Sequence, residues 1–282
     1  MDANPFWNKL TKPLRDSVMD NALREIPFED SYTKDVDFNF LERLKIKTTM
    51  FKLFAPWVEQ YFTGFEHFSN QYITNGNTEA LSMLMSNMSL EKIYILPDEY
   101  NFYNYIAKML GKECVTVNNV EDITTDGIML ISVPASRDGD IISKQSIIDY
   151  CQSNNVPLFV DIAYCGLTEP GKIKIQRSPN TYVAFSFSKT VGLAFNRIGI
   201  MFTNKDVPTL DIMNKIGYLN LSGAKAAIKM MRSIPCDYVY KTYKDQYANI
   251  CKEHGLTRTN CILFGHDKNG DKFCTTEFYK II

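Results

Sequence analysis

The chain of 282 residues carries 31 basic and 32 acidic residues, a formal net charge of −1, and is 45% apolar. That length and apolar content suit one large core with a smaller annex. Near-neutral charge with both signs interspersed excludes the electrostatic footprint of a nucleic-acid or anionic-membrane partner.

No stretch of about 18 apolar residues occurs, and the first residues lack the basic and apolar regions of a leader. Seven widely spaced cysteines contain no C-x-x-C pair. These features predict an unexported, cytoplasmic protein with free thiols. With three histidines and no close ligand spacing, no metal site is expected.

Residues 1–50 read as an N-terminal arm. Lys9 to Arg24 and Phe38 to Lys47 have helical spacing, interrupted by Pro13 and Pro27. Such an arm either caps the domain or wraps a second subunit. Met50, Phe51, Leu53, Phe54, Trp57, Val58, Tyr61 and Phe62 then recur at three and four residues, predicting a helix over 48–68 broken at Pro56.

Gln71 to Asn75 predicts a short strand, and Gly76-Asn77-Thr78 the turn into a helix continuing through Leu81 to Met88. A helix start of this kind exposes unpaired N–H groups at the positive end of the dipole and can hold an anion. Plain capping by Asn77 or Thr78 explains the same residues. Apolar strands at 92–96, 114–117, 127–133, 156–162, 182–187 and 197–202 alternate with helices at 101–110 and 143–153. This order predicts an α/β fold with a mainly parallel central sheet covered by helices on both faces. Ligands of such sheets sit at the carboxyl ends of the strands.

Beyond the large domain, drawn over 51–220, residues 221–282 form a small C-terminal α+β part. Helices are expected at 207–218, 224–232 and 236–254, then a hairpin turning at Asn269-Gly270.

Four features stand in one order along the chain. Gly76-Asn77-Thr78-Glu79-Ala80 comes first; Asp161-x-x-Tyr164 follows an apolar strand; then come Ser186-x-Ser188-Lys189 and Asn196-Arg197-Ile198-Gly199. A lysine among apolar strands has little structural reason to be there. Together the groups suit a ligand with an aldehyde, a protonatable ring nitrogen, a ring oxygen and a phosphate, which is pyridoxal 5'-phosphate.

This arrangement resembles the fold-type I pyridoxal phosphate enzymes, specifically the class I/II aminotransferases, over roughly residues 70–203. The resemblance implies that Lys189 forms the Schiff base and shuttles the proton. By the same resemblance Asp161 pairs with the pyridinium, Tyr164 faces the ring oxygen, and Ser186 and Arg197 take the phosphate with N–H groups from Asn77 and Thr78. Tyr100 is expected to stack on the ring, with Tyr103 as the alternative. A homodimer acting on an amino acid or amine is implied.

Two departures stand out. Ser136, in Val133-Pro134-Ala135-Ser136-Arg137-Asp138-Gly139, occupies the position of the family's ring-oxygen asparagine, with Arg137 beside it as a candidate substrate-anion ligand or a surface ion pair. The family's C-terminal, carboxylate-binding arginine has no counterpart, since Arg258 lies in no matching motif. Aminotransfer is the first reading. Decarboxylation, elimination, aldol or oxidative chemistry on the same cofactor is the second, and a non-catalytic pocket the third.

Overall fold

Five runs of β-branched and large apolar residues build the centre of the molecule: β3 (Lys92–Ile95), β4 (Glu113–Thr116), β5 (Gly127–Ser132), β6 (Leu158–Asp161) and β8 (Thr181–Ser186). They are mutually parallel in the computed structural model, which describes residues 13–24 and 40–280. Every residue of β5, β6 and β8 is buried, as expected where helices cover both faces of a parallel sheet.

Two further strands complete a seven-stranded sheet of order β2-β9-β8-β6-β5-β3-β4. β9 (Gly199–Thr203) runs antiparallel to β8 and to β2 (Asn70–Thr74). Only twelve residues separate β8 from β9, and antiparallel neighbours need no crossover helix. The start of β9 therefore lies at the edge where β8 ends, with Ser186 opposite Gly199.

The pleat divides the core into two layers. Phe159, Tyr182, Ala184 and Met201 face α3 (Asn77–Ser86), α4 (Phe102–Met109) and α7 (Pro208–Ile216). Val160, Val183, Phe185 and Phe202 face the larger layer, which includes α2 (Phe40–Trp57), α5 (Lys144–Ser153) and α8 (Leu221–Ser233). Phe54 sits at its centre, with ring centroids 5.0 Å from Phe185 and 5.5 Å from Phe202.

Several elements differ in extent from the sequence expectation. α2 is one helix crossing residue 50 and ending at Trp57, and Pro56 is accommodated in its last turn, where the missing N–H costs one hydrogen bond. The helix does not continue to Phe68: β1 (Phe62–Thr63) pairs instead with β7 (Ile173–Lys174). Of the N-terminal arm, α1 (Ser17–Arg24) is described, while the portions at 1–12 and 25–39 lie outside the described residues. Buried Asp16 anchors this segment, accepting hydrogen bonds from Met19 N, Tyr238 OH and Tyr243 OH at 3.0, 2.9 and 3.1 Å.

The C-terminal part begins with α8 and α9 (Tyr238–Glu253) and shares the larger core layer. Its hairpin gains a third strand, in the order β10 (Thr257–Arg258), β11 (Phe264–His266), β12 (Lys272–Cys274). The Asn-Gly pair belongs to a longer loop, in which the Asp267 carboxylate accepts from Asn269 N and Asp271 N. Among the described residues no helix is long and apolar enough to cross a membrane.

Candidate active site

The carboxyl ends of β2, β6 and β8 open on a cavity of about 530 Å³. Its lining brings together Asn77, Thr78, Tyr100, Asp161, Tyr164, Ser186, Lys189 and Arg197, all eight singled out in the sequence. Ser136, of the residues expected to hold the cofactor, and Arg137, the candidate anion ligand beside it, are not part of the lining.

Asp161 ends β6 and is 6% exposed. Its Oδ1 accepts from Asn77 Nδ2 at 2.5 Å and from Ala163 N at 3.0 Å, and its Oδ2 from Tyr103 OH at 3.2 Å. Burial raises its pKa to about 6, opposed by those hydrogen bonds. No cation pairs with it among the described residues, so a protonated ring nitrogen in the cavity would meet an otherwise uncompensated carboxylate. Asn77 also donates to Ala184 O at 3.1 Å, and its buried Oδ1 has no partner.

The opposite end of the cavity is a polar cup. Gly76, at φ 105°, turns the chain from β2 into α3. The turn is closed by Glu79, whose carboxylate accepts from Asn75 N at 2.7 Å and Asn75 Nδ2 at 2.8 Å, a capping-box arrangement. A Cβ placed at Gly76 would lie 3.2 Å from Arg197 Nη2 and 3.4 Å from Ser186 Oγ. That space is bounded by a guanidinium, a hydroxyl and a helix start, which is the chemistry of a phosphate site. Arg197, itself at φ 46°, is fixed by bonds to Asn75 O at 2.9 Å and Ala194 O at 3.1 Å, with Ser188 Oγ 3.4 Å away.

Gly199 explains the glycine two residues after the arginine. A side chain there would place Cβ 2.7 Å from both Gly76 Cα and Phe185 O. Gly199→Ala is therefore expected to destabilise the fold by about 3 kcal/mol, through backbone displacement at a packed site. The check is a lowered midpoint in chemical denaturation at unchanged slope.

Lys189 lies in the short helix α6 (Phe187–Thr190), capped by Ser186, whose Oγ accepts from Ser188 N. Burial lowers its pKa to about 8; the charges of Lys272 and Arg197 push the same way, and the Cys274 and Cys261 thiols act against them. Tyr100 flanks the cavity, its ring edge-on to Tyr103 at 5.7 Å. Tyr164 packs edge-on against Phe264 at 5.8 Å.

Ser136 instead faces Glu99, with Oγ to Oε2 at 3.4 Å, while its backbone N donates to Ser132 Oγ at 2.9 Å. Glu99 is itself bonded to Ser132 Oγ and, at 3.2 Å, to Ser132 N. This short polar cluster holds the serine away from the cavity. Arg137 pairs with Asp98 at 3.0 Å outside the cavity, and Arg258 lies over the Tyr247 ring at 6.0 Å.

Four features were not anticipated from sequence. They are the amide of Asn77 on Asp161, the Tyr103 hydroxyl on the same carboxylate, Ser188 within the cup, and Lys272 reaching the cavity from β12. Ser188 had a signal, its place beside the lysine. Lys272 had none, since nothing in a hairpin marks which long side chain turns inward.

The fold is a doubly covered α/β protein whose cavity sets a buried carboxylate, a buried lysine and an arginine-bounded cup side by side. The family Aminotransferase class I and II matches residues 50–238, and the chain belongs to that family. Similar curated proteins include the histidinol-phosphate aminotransferase of Thermococcus gammatolerans, 26% identical over 178 residues, 57% of this chain and 52% of that protein. That of Buchnera aphidicola is 28% identical over 158 residues, 49% and 44% of the two chains. The chain thus spans about half the length of the curated relatives it matches.

Among solved structures, histidinol-phosphate aminotransferase from Sinorhizobium meliloti in complex with pyridoxal-5'-phosphate superposes with a TM-score of 0.67 at 18% identity, covering 92% of this chain and 73% of that one. The C-S lyase from Staphylococcus hominis gives 0.62 at 13%, covering 90% and 74%. These TM-scores establish a shared fold.

Proposed function

We propose that the protein is a pyridoxal 5'-phosphate-dependent aminotransferase acting on an amino acid or amine. The observation that carries this reading is a single cavity holding a buried carboxylate with no ion pair among the described residues, a lysine of lowered basicity and an anion cup. Lys189 would hold the cofactor through its amine and Asp161 would face the ring nitrogen. Tyr164 would face the ring oxygen and Tyr100 the ring. Ser186, Ser188, Arg197 and the first N–H groups of α3 would receive the phosphate.

When bound, the cofactor supplies a carbonyl for amine condensation and a ring that withdraws electrons from the adjoining carbon. The chain's own residues supply the rest. Lys189 Nζ moves a proton at the substrate carbon, and a pKa of about 8 lets it both take up and release that proton near neutrality. Asp161 stays ionised beside a positive nitrogen, oriented by Asn77, Tyr103 and Ala163 N. Leu81, Phe102 and Tyr103 give the cavity an apolar wall that limits water.

Arg197→Gln is expected to weaken cofactor binding about 10- to 100-fold, by removing one charge-assisted contact. Equilibrium titration of the cofactor-free protein measures this. The function itself is tested by incubating the loaded protein with a panel of amino acids and a keto acceptor. Keto product with recoverable amine transfer is the expected result, and no exchange with any donor overturns the reading.

A second reading, non-transaminating chemistry on the same cofactor, is favoured by Ser136. With its hydroxyl turned to Glu99, Ser136 does not direct a donor toward the ring oxygen that Tyr164 would face. Carbon dioxide or an aldehyde in the same panel would favour it.

We infer also a homodimer in the cytoplasm. Phe195, 97% exposed beside Arg197 at the cavity, and exposed Ile212, Ile216 and Tyr218 support an apolar contact with a second copy. Seven unpaired thiols support a reducing compartment.

A further inference from the structure

Three cations line the cavity: Lys189, Arg197 and Lys272. The first two have roles in the function proposed above. Lys272 does not.

Its position is built rather than incidental. Lys272 stands opposite His266 in the β11–β12 pair, and the hairpin is pinned to the 136–137 segment at two points. Lys272 Nζ donates to Ser136 O at 2.7 Å, and His266 Nε2 lies 3.0 Å from Arg137 O. The ammonium sits 3.7 Å from the Phe264 ring centroid and 5.4 Å from that of Tyr164, and aromatic faces attract a cation in this way. Among the described residues no carboxylate forms an ion pair with it. Glu99 contributes attraction from a distance but is engaged by Ser132. One of three ammonium donors is used by Ser136, leaving two for the cavity.

We propose that Lys272 determines substrate specificity by holding a single anionic group on the amine donor, accepting carboxylate, sulfonate or phosphonate alike. This rests on the aminotransferase reading for the identity of the donor. Arginine offers a planar fork matched to a carboxylate, whereas an ammonium is a compact point charge with no preferred plane. Two arginines near the site are committed elsewhere, Arg197 to the cup and Arg137 to Asp98. Burial of Lys272 strengthens any anion contact over its value in open solvent, and its lowered pKa reflects the same burial.

The test compares propanoate, ethanesulfonate and ethylphosphonate with neutral propanamide, titrated calorimetrically into cofactor-loaded wild type, Lys272→Gln and Lys272→Arg. Wild type is expected to bind the three anions within about threefold of one another and at least tenfold more tightly than the amide. Lys272→Gln should lose that preference, and Lys272→Arg should retain it for propanoate. Subtracting the Lys272→Gln isotherm removes the contributions of Lys189 and Arg197. A seat that merely supports the hairpin would lower the melting temperature of Lys272→Gln while the anion preference stayed. Persistence of the preference in Lys272→Gln, or equal binding of amide and anions to wild type, overturns the proposal. Loss of amine exchange with this preference intact would instead strike at the aminotransferase reading alone.

Discussion

Lys189→Ala is expected to lower amine exchange by on the order of 10³-fold or more, with the fold retained. In the function proposed above, the variant removes both the amine that would hold the cofactor and the group that would carry the proton at the substrate carbon, and general acid–base catalysis alone contributes about 10²- to 10⁴-fold. Cofactor capture by the free protein should show the pH dependence of this residue. Only the neutral amine is nucleophilic, so the capture rate should rise with pH through about 8, well below an ordinary lysine. Stability moves the other way from activity. A lysine whose folded-state pKa is depressed binds its proton less tightly when folded, so it opposes folding near neutrality, and its removal is expected to leave the melting temperature unchanged or higher at pH 7. A capture rate that is flat between pH 7 and 9 would show that the Lys189 amine is not the attacking group.

Asp161→Asn should cost about 10²- to 10³-fold in exchange, because in the function proposed above it replaces the preorganised charge that would keep the ring nitrogen protonated with a neutral dipole. The cofactor-free protein offers an independent reading. The Asp161 carboxyl, at about 6 when folded against a model value of 3.8, binds its proton more tightly in the folded state. Its contribution is therefore fully present below about pH 4 and is lost as pH rises through about 6. The difference corresponds to about 3 kcal/mol. Wild type should lose stability over that window relative to Asp161→Asn, and saturating cofactor should erase the difference by supplying the missing cation. Parallel denaturation profiles of the two proteins from pH 4 to 7 would refute this placement of the charge.

The strand pattern and the four motifs were legible because each rests on local rules: apolar runs, a glycine turn before a helix, and polar residues just past strand ends. The same rules placed Asp161 and Lys189 in one cavity, since the carboxyl ends of parallel strands share an edge, whereas Arg197 reaches it because the antiparallel β9 starts where β8 ends. They could not orient Ser136, whose hydroxyl is drawn to Glu99, 37 residues earlier in the chain. Nor could they see Asn77 as the partner of Asp161, 84 residues away. The reversed β9 was also hidden, because a wholly buried strand has the same apolar composition in either direction. Extents failed where tertiary packing overrode propensity, as at Pro56, retained in a helix held by Phe54 and Trp57 against Phe185.

The Gly76–Gly199 contact has a kinetic consequence. The cup joins a turn after β2 to an arginine 122 residues later, and the Arg197–Asn75 bond closes across that separation. Contacts so distant in sequence require a large loop to close before they are rewarded. The anion site therefore comes into being only when the outermost pair of strands docks. Phosphate should bind the completed sheet and not its partly assembled precursors, and by mass action it would pull the last strand into place. Inorganic phosphate is thus expected to report the closing step of folding, read as faster completion of refolding in its presence.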